Sequence, residues 1–249
     1  MSGHNKWSTI KHKKAKTDAK RGKVFTKIIR ELTVAARMGG GDVEMNPRLR
    51  KAVANAKASN MPKDTMQRAI DKGAGNLDGV NYEDVVYEGY GPGGVAVMVE
   101  AVTDNRNRTT AEMRLAFGKY GGNLGSPGSV GYLFERVGQI TGEAGAFEED
   151  DLMMLALEAG AEDLTLDDGT FTITTEAGTE DDIAEKLQAD GVQIDKFETA
   201  LIPSTTVELS GKKATSMMKI IDMLEDNDDV QNVFSNFDID DETAAELAG

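Results

Sequence analysis

The spacing of apolar residues, helical over the first part of this chain, changes near residue 78 to a period of two. That switch calls for a helical part followed by sheet-containing parts. From about Thr17 the spacing is helical: Val24, Phe25, Ile28, Ile29, Leu32, Ala35 and Ala36 fall within one arc of about 140°. Lys20, Lys23, Lys27 and Arg30 fall in an arc of about 80° on the opposite side. Gly39-Gly40-Gly41 ends this helix. Asn46-Pro47 then reads as N-cap and first residue of a second helix, with Leu49, Ala52, Val53 and Ala56 inward. A third runs from near Pro62 to Gly73 with Met61, Met66 and Ile70 as its apolar side. Three short amphipathic helices joined by short loops make a small bundle.

Beyond residue 78, Tyr82–Tyr90 and Val95–Val102 flank the Gly-rich turn 91–94 and read as a hairpin. A helix is expected from about Thr109 to Tyr120, a Gly/Ser/Pro loop over 121–131, and a strand around Tyr132–Ile140. Residues 150–160 form a helix with an acidic first turn, Phe171–Thr175 a strand, 180–189 a helix, and Lys196–Leu209 an extended segment with Pro203 in its middle. A helix over 213–225 and a strand near Val230–Phe237 close the fold, and the last dozen residues read as a frayed acidic tail. The expected class is α+β: an N-terminal helical domain followed by two small α/β domains, one inserted in the other. The boundaries are 1–77 for the basic helical domain with its flexible tail, 78–133 plus 206–239 for the first α/β domain, and 134–205 for the insertion.

Charge follows the same division. Residues 1–75 hold 18 Lys/Arg and 6 Asp/Glu, a net of +12, whereas residues 76–249 hold 10 Lys/Arg and 37 Asp/Glu, a net of −27. A basic block on an acidic chain points to a polyanion, nucleic acid before an anionic membrane surface, contacted by the N-terminal face alone. Residues 4–23 carry almost no apolar side chains, so this tail cannot bury itself and is expected to order on meeting its partner. The candidate contacts are Lys6, Trp7, Lys11, His12, Lys13, Lys14, Lys16, Lys20, Arg21, Lys23, Lys27 and Arg30, with Trp7 placed to stack on a base. Arg106 and Arg108, in the island Asp104-Asn-Arg-Asn-Arg-Thr-Thr110, either extend that surface or belong to a polar turn that caps the helix from Thr109.

Little in the chain reads as catalytic. With no cysteine and only His4 and His12, a thiolate zinc site, a Cys nucleophile and an iron–sulfur cluster are excluded, and a Ser-His-Asp triad would have to draw on the N-terminal tail. Gly89-Tyr-Gly-Pro-Gly-Gly94 matches a dinucleotide fingerprint, but a strand rather than a helix follows it, so it reads as a hairpin turn. Asp226-Asn-Asp-Asp229 begins like a calcium loop yet has Gln231 and Phe237 where Gly and Glu are required. The cluster Glu148–Asp151 reads as helix capping, with cation binding as the alternative. No membrane span or signal peptide is legible, and a cytoplasmic protein is expected.

Several segments together carry a resemblance. Gly3-His-Asn-Lys-Trp-Ser-Thr-Ile-Lys-His-Lys-Lys14 and Asp18-Ala-Lys-Arg-Gly-Lys-Val-Phe-Thr-Lys-Ile-Ile-Arg-Glu-Leu32 closely resemble the start of the YebC family. So do Asn60-Met-Pro-Lys63, Tyr87-Glu-Gly-Tyr-Gly-Pro-Gly-Gly94, Thr103-Asp-Asn-Arg-Asn-Arg-Thr109 and Gly122-Asn-Leu-Gly125. That family includes bacterial probable transcriptional regulators and a mitochondrial translational activator of a cytochrome oxidase subunit. The resemblance implies three domains, no catalysis and no cofactor; no metal site and no small-molecule substrate are expected. It leaves two kinds of partner open, DNA in a transcriptional regulator or ribosomal RNA in a factor relieving stalls at proline-rich stretches. A protein–protein adaptor working through the acidic domains is the further alternative.

Overall fold

The computed structural model describes residues 19–75, 82–167, 169–240 and 243, with side chains from Lys23 onward. The chain divides into two compact units, one formed by 135–202 and the other by the segments on either side of it. The mixed α+β class expected from the sequence is the class observed.

In the larger unit, α1 (Ala19–Gly39), α2 (Pro47–Ala58) and α3 (Lys63–Ala74) form the helical bundle. Leu32, Ala35, Ala36, Leu49, Ala52, Ala56, Met61, Met66, Ala69 and Ile70 make its core, with Phe25, Ile28, Ile29 and Val53 packed on the margin. Val24 departs from the expected stripe: it lies at its edge and is exposed. Asn46 caps α2 by accepting the Leu49 N–H at 3.1 Å, with Pro47 at the first position, as its sequence calls for. α3 crosses α1 at Gly73, where a Cβ would stand 2.2 Å from the Thr33 carbonyl oxygen.

The sheet of this unit has the order β3-β1-β2-β9, built from β1 (Glu83–Tyr90), β2 (Ala96–Thr103), β3 (Asn123–Leu124) and β9 (Val230–Ser235). The hairpin is confirmed, with Tyr90 opposite Ala96 and Glu83 opposite Thr103. α4 (Arg106–Lys119) and α7 (Gly211–Glu225) cover one face, where Met113, Phe117, Met217, Ile220 and Leu224 pack on Val85, Tyr87, Val97 and Val99. The helix expected from Thr109 starts one turn earlier, because Asn105 takes the cap position and accepts the Arg108 N–H. The extended segment 196–209 is two strands, β7 (Gln193–Pro203) and β8 (Val207–Leu209), and Pro203 is the last residue of the first rather than its middle. β8 pairs in parallel with β10 (Phe237–Ile239), so the chain is still strand where a frayed tail was expected to begin; the rest of that tail, Thr243 apart, lies outside the described residues beyond Asp240.

The smaller unit has the sheet order β5-β6-β4-β7, with β4 (Phe134–Glu143), β5 (Asp163–Asp167) and β6 (Thr170–Glu176) beside β7. α5 (Glu149–Ala159) and α6 (Glu180–Ala189) join these strands in a core around Ile140, Leu152, Phe171, Ile173 and Leu187. Two expectations change here. A short 3₁₀ turn, Gly131–Leu133, occupies the start of the strand expected at Tyr132, and β5 was not foreseen. The acidic cluster also differs: Glu148 makes no side-chain cap bond, so Glu149, Asp150 and Asp151 act on α5 through its dipole alone.

Candidate nucleic-acid interface

The expected contacts divide into three groups. Lys6, Trp7, Lys11, His12, Lys13, Lys14 and Lys16 lie outside the described residues, as do the side chains of Lys20 and Arg21, although both are in α1. The second group is Lys23, Lys27 and Arg30. These three were placed on one arc of α1, and the structure does bring them together, but against the α/β part of the same unit. Lys23 Nζ is 2.8 Å from Asp226, and Lys27 Nζ donates to the Glu225 carbonyl at 2.7 Å. Arg30 pairs with Asp229 and donates to the Asp228 and Val102 carbonyls at 2.9 and 3.2 Å. Its side chain is only 16% exposed, and its guanidinium lies over the Tyr82 ring. Over this stretch the polar arc of α1 forms a seam with Glu225–Asp229, largely buried at Arg30 and open to solvent at Lys23. The seam has a physical cause, because a carboxylate and a row of backbone carbonyls satisfy a guanidinium as well as phosphate does.

The third group, Arg106 and Arg108, separates. Arg106 is exposed, with Glu83 3.9 Å away. Arg108 instead shares Asp229 with Arg30, at 2.8 Å, and also meets Asp104 at 2.9 Å. Asp229 is the centre of this cluster: its side chain is 4% exposed and also accepts from the Thr109 hydroxyl at 2.5 Å and the Thr103 hydroxyl at 3.1 Å. Burial pushes its carboxyl up, but the bonds from Arg108, Thr109 and Arg30 outweigh that and hold it below the usual carboxylate range.

A second clasp was also missed from sequence. Arg48 reaches Glu31 on α1 with two bonds, at 2.7 and 3.0 Å, and Asp84 on β1 with two more, both 2.8 Å. Bidentate geometry on both sides makes it a fixed bridge between bundle and sheet, and Asp84 is held below its usual range by it. One signal for the first clasp was present: Thr103, Arg108 and Thr109, three of Asp229's partners, all lie within the segment 103–109 that carried the resemblance.

The Gly-rich segments are structural. In the segment 87–94, Gly89 lies against the Asn123 carbonyl and the Phe117 ring, and Gly91 lies against the Met217 sulfur. Glu88 is buried and accepts the N–H groups of Gly128, Val130 and Gly131 at 2.6, 2.7 and 2.8 Å, which moors the loop 125–131. Asn60, in the segment 60–63, takes a left-handed conformation (φ 56°) at the turn between α2 and α3. Among the described residues no three His, Cys, Asp or Glu side chains gather as a metal would require, and no helix is long and apolar enough to cross a membrane.

Comparison with known proteins agrees over the whole length. The profile described as the TACO1/YebC protein N-terminal domain matches residues 5–76, and that of the TACO1/YebC second and third domain matches 82–237. A probable transcriptional regulatory protein of Desulforapulum autotrophicum is 55% identical over 97% of this chain and 98% of its own. One from Persephonella marina is 56% identical over 96% of each. The solved structure of a conserved hypothetical protein of Aquifex aeolicus superposes with a TM-score of 0.87 at 50% identity, covering 94% of this chain and 97% of that one. Two domain profiles spanning nearly all of the sequence, with full-length relatives above half identity, establish that the chain belongs to the TACO1/YebC family.

Proposed function

We propose that this chain is a non-enzymatic regulator of gene expression that binds nucleic acid through its basic N-terminal part, as a DNA-binding transcriptional regulator. The observation that carries the reading is the charge division, +12 over residues 1–75 against −27 over the rest. The names of the full-length relatives support the regulatory class. Because Lys23, Lys27 and Arg30 are engaged in the seam, the contact is assigned to Lys6, Lys11, Lys13, Lys14, Lys16, Lys20 and Arg21, with Trp7 and His12 among them and exposed Arg106 as an outlying phosphate contact. The seam then holds α1 against the α/β part of the same unit. The localisation that fits is cytoplasmic.

Deleting residues 2–16 tests this. The deletion should leave the melting temperature of the chain unchanged and remove salt-dependent binding to a DNA duplex, since Lys contacts act by releasing counterions. Undiminished binding by the deleted chain refutes the assignment. Sedimentation of lysate with and without ribonuclease separates the DNA reading from the ribosomal one. Ribonuclease-sensitive migration with ribosomes, without retention on DNA, would replace transcription by translation.

A further inference from the structure

The larger unit holds a basic surface that the charge division does not point to. Only ten Lys/Arg follow residue 75, and seven of them lie on two helices: Arg106, Arg108, Arg114 and Lys119 on α4, of which Arg108 is turned to Asp229, and Lys212, Lys213 and Lys219 on α7. The two helices pack against the same face of one sheet, so their outer sides form a single surface. At the C-terminal end of α4 is Tyr120, packed by one side on the core. Lys119 Nζ stands 5.4 Å and Lys219 Nζ 5.9 Å from the centroid of its ring.

Elsewhere in this unit gathered cations have been given carboxylates. Arg30 and Arg108 share Asp229, and Arg48 sits between Glu31 and Asp84. At Tyr120 two ammonium groups from different helices converge on one ring, and among the described residues neither forms an ion pair. This occurs in a part of the chain with 37 acidic residues to draw on. The ring's π face offsets some of their repulsion, and an external anion would offset the rest.

We propose that the surface at the C-terminal end of α4, formed by Lys119, Tyr120 and Lys219 of α7, is a second nucleic-acid contact, at which the two lysines, held over the tyrosine ring, bind backbone phosphate. Lysines that meet phosphate alone hold nucleic acid without reading its sequence. The proposal rests on the nucleic-acid reading above and adds to it a second site outside the basic N-terminal part.

The test is fluorescence anisotropy of labelled single-stranded and duplex oligonucleotides against the full chain and its Lys119→Gln/Lys219→Gln variant. Both side chains are exposed, so the variant should melt with the wild type. The matched control is Lys186→Gln/Lys196→Gln, in the smaller unit, which changes the net charge equally. Losing two phosphate contacts should lower the slope of log affinity against log salt by about 1.4 on the single strand and about 1.8 on the duplex, with no such loss in the control. Wild-type slopes in the variant, or an equal loss in the control, would overturn the second contact and leave the N-terminal one standing. Loss of binding to polyglutamate with oligonucleotide binding intact would assign the surface to an acidic protein and overturn it also. Absence of binding by the wild-type chain would overturn both readings.

Discussion

Replacing Asp229 by alanine should destabilise the larger unit far more than any surface charge change. The carboxylate is buried and serves two guanidinium groups and two hydroxyls, from Arg30, Arg108, Thr103 and Thr109. Removing one partner of a buried pair costs about 3–5 kcal/mol, because the remaining charge stays desolvated without compensation. Arg30 keeps the carbonyls of Asp228 and Val102, and Arg108 is 43% exposed and keeps Asp104. The expected loss is therefore at the lower end, about 3 kcal/mol, or a fall of roughly 6–12 °C in Tm for a unit of this size. Urea unfolding at pH 7 measures it. Lys23→Ala serves as the internal contrast: its pair with Asp226 is exposed on both sides (48% and 70%), so it should cost less than about 1 kcal/mol.

The same carboxyl sets a pH dependence. Its folded pKa lies below the ordinary 3.8, so its contribution is fully present above about pH 4 and is lost as pH falls through the folded value. The gap between wild type and Asp229→Ala should therefore be constant from pH 7 to about pH 5 and close below about pH 4. An Asp229→Ala loss under 1 kcal/mol at pH 7, or a gap that widens in acid, would refute the reasoning.

Two further outcomes follow from packing and from polar satisfaction. Gly73→Ala places a methyl group 2.2 Å from the Thr33 carbonyl, so α1 and α3 must separate, and calorimetry should show a loss of about 1–3 kcal/mol despite alanine's better helix propensity. Glu88→Ala strands the buried Val130 N–H and leaves those of Gly128 and Gly131 to water; at about 1–3 kcal/mol for the buried group left unsatisfied, it should melt below wild type, with faster amide exchange across 125–131.

Local features of this chain were legible because their causes are local. The inward positions Leu32, Ala35, Ala36, Leu49, Ala52, Ala56, Met66 and Ile70 follow from helical spacing, the start of α2 from Asn46-Pro47, and the β1–β2 hairpin from alternating strands about a Gly-rich turn. The α+β class follows from the change of period. β5 escaped notice because a five-residue strand carries few alternations, and its partner β6 supplies what its own pattern lacks. The partners of charged groups were not legible for a different reason. A helical wheel reports that Lys23, Lys27 and Arg30 share a side, but not what faces that side, and here it is Glu225, Asp226 and Asp229, some 200 residues away in the chain. Charge segregation along the sequence thus determined that a basic part and an acidic part exist. Tertiary structure decided which cations are spent on the chain's own carboxylates and which, as at Tyr120, are left facing outward, because Coulombic and hydrogen-bond satisfaction depends on distance in space.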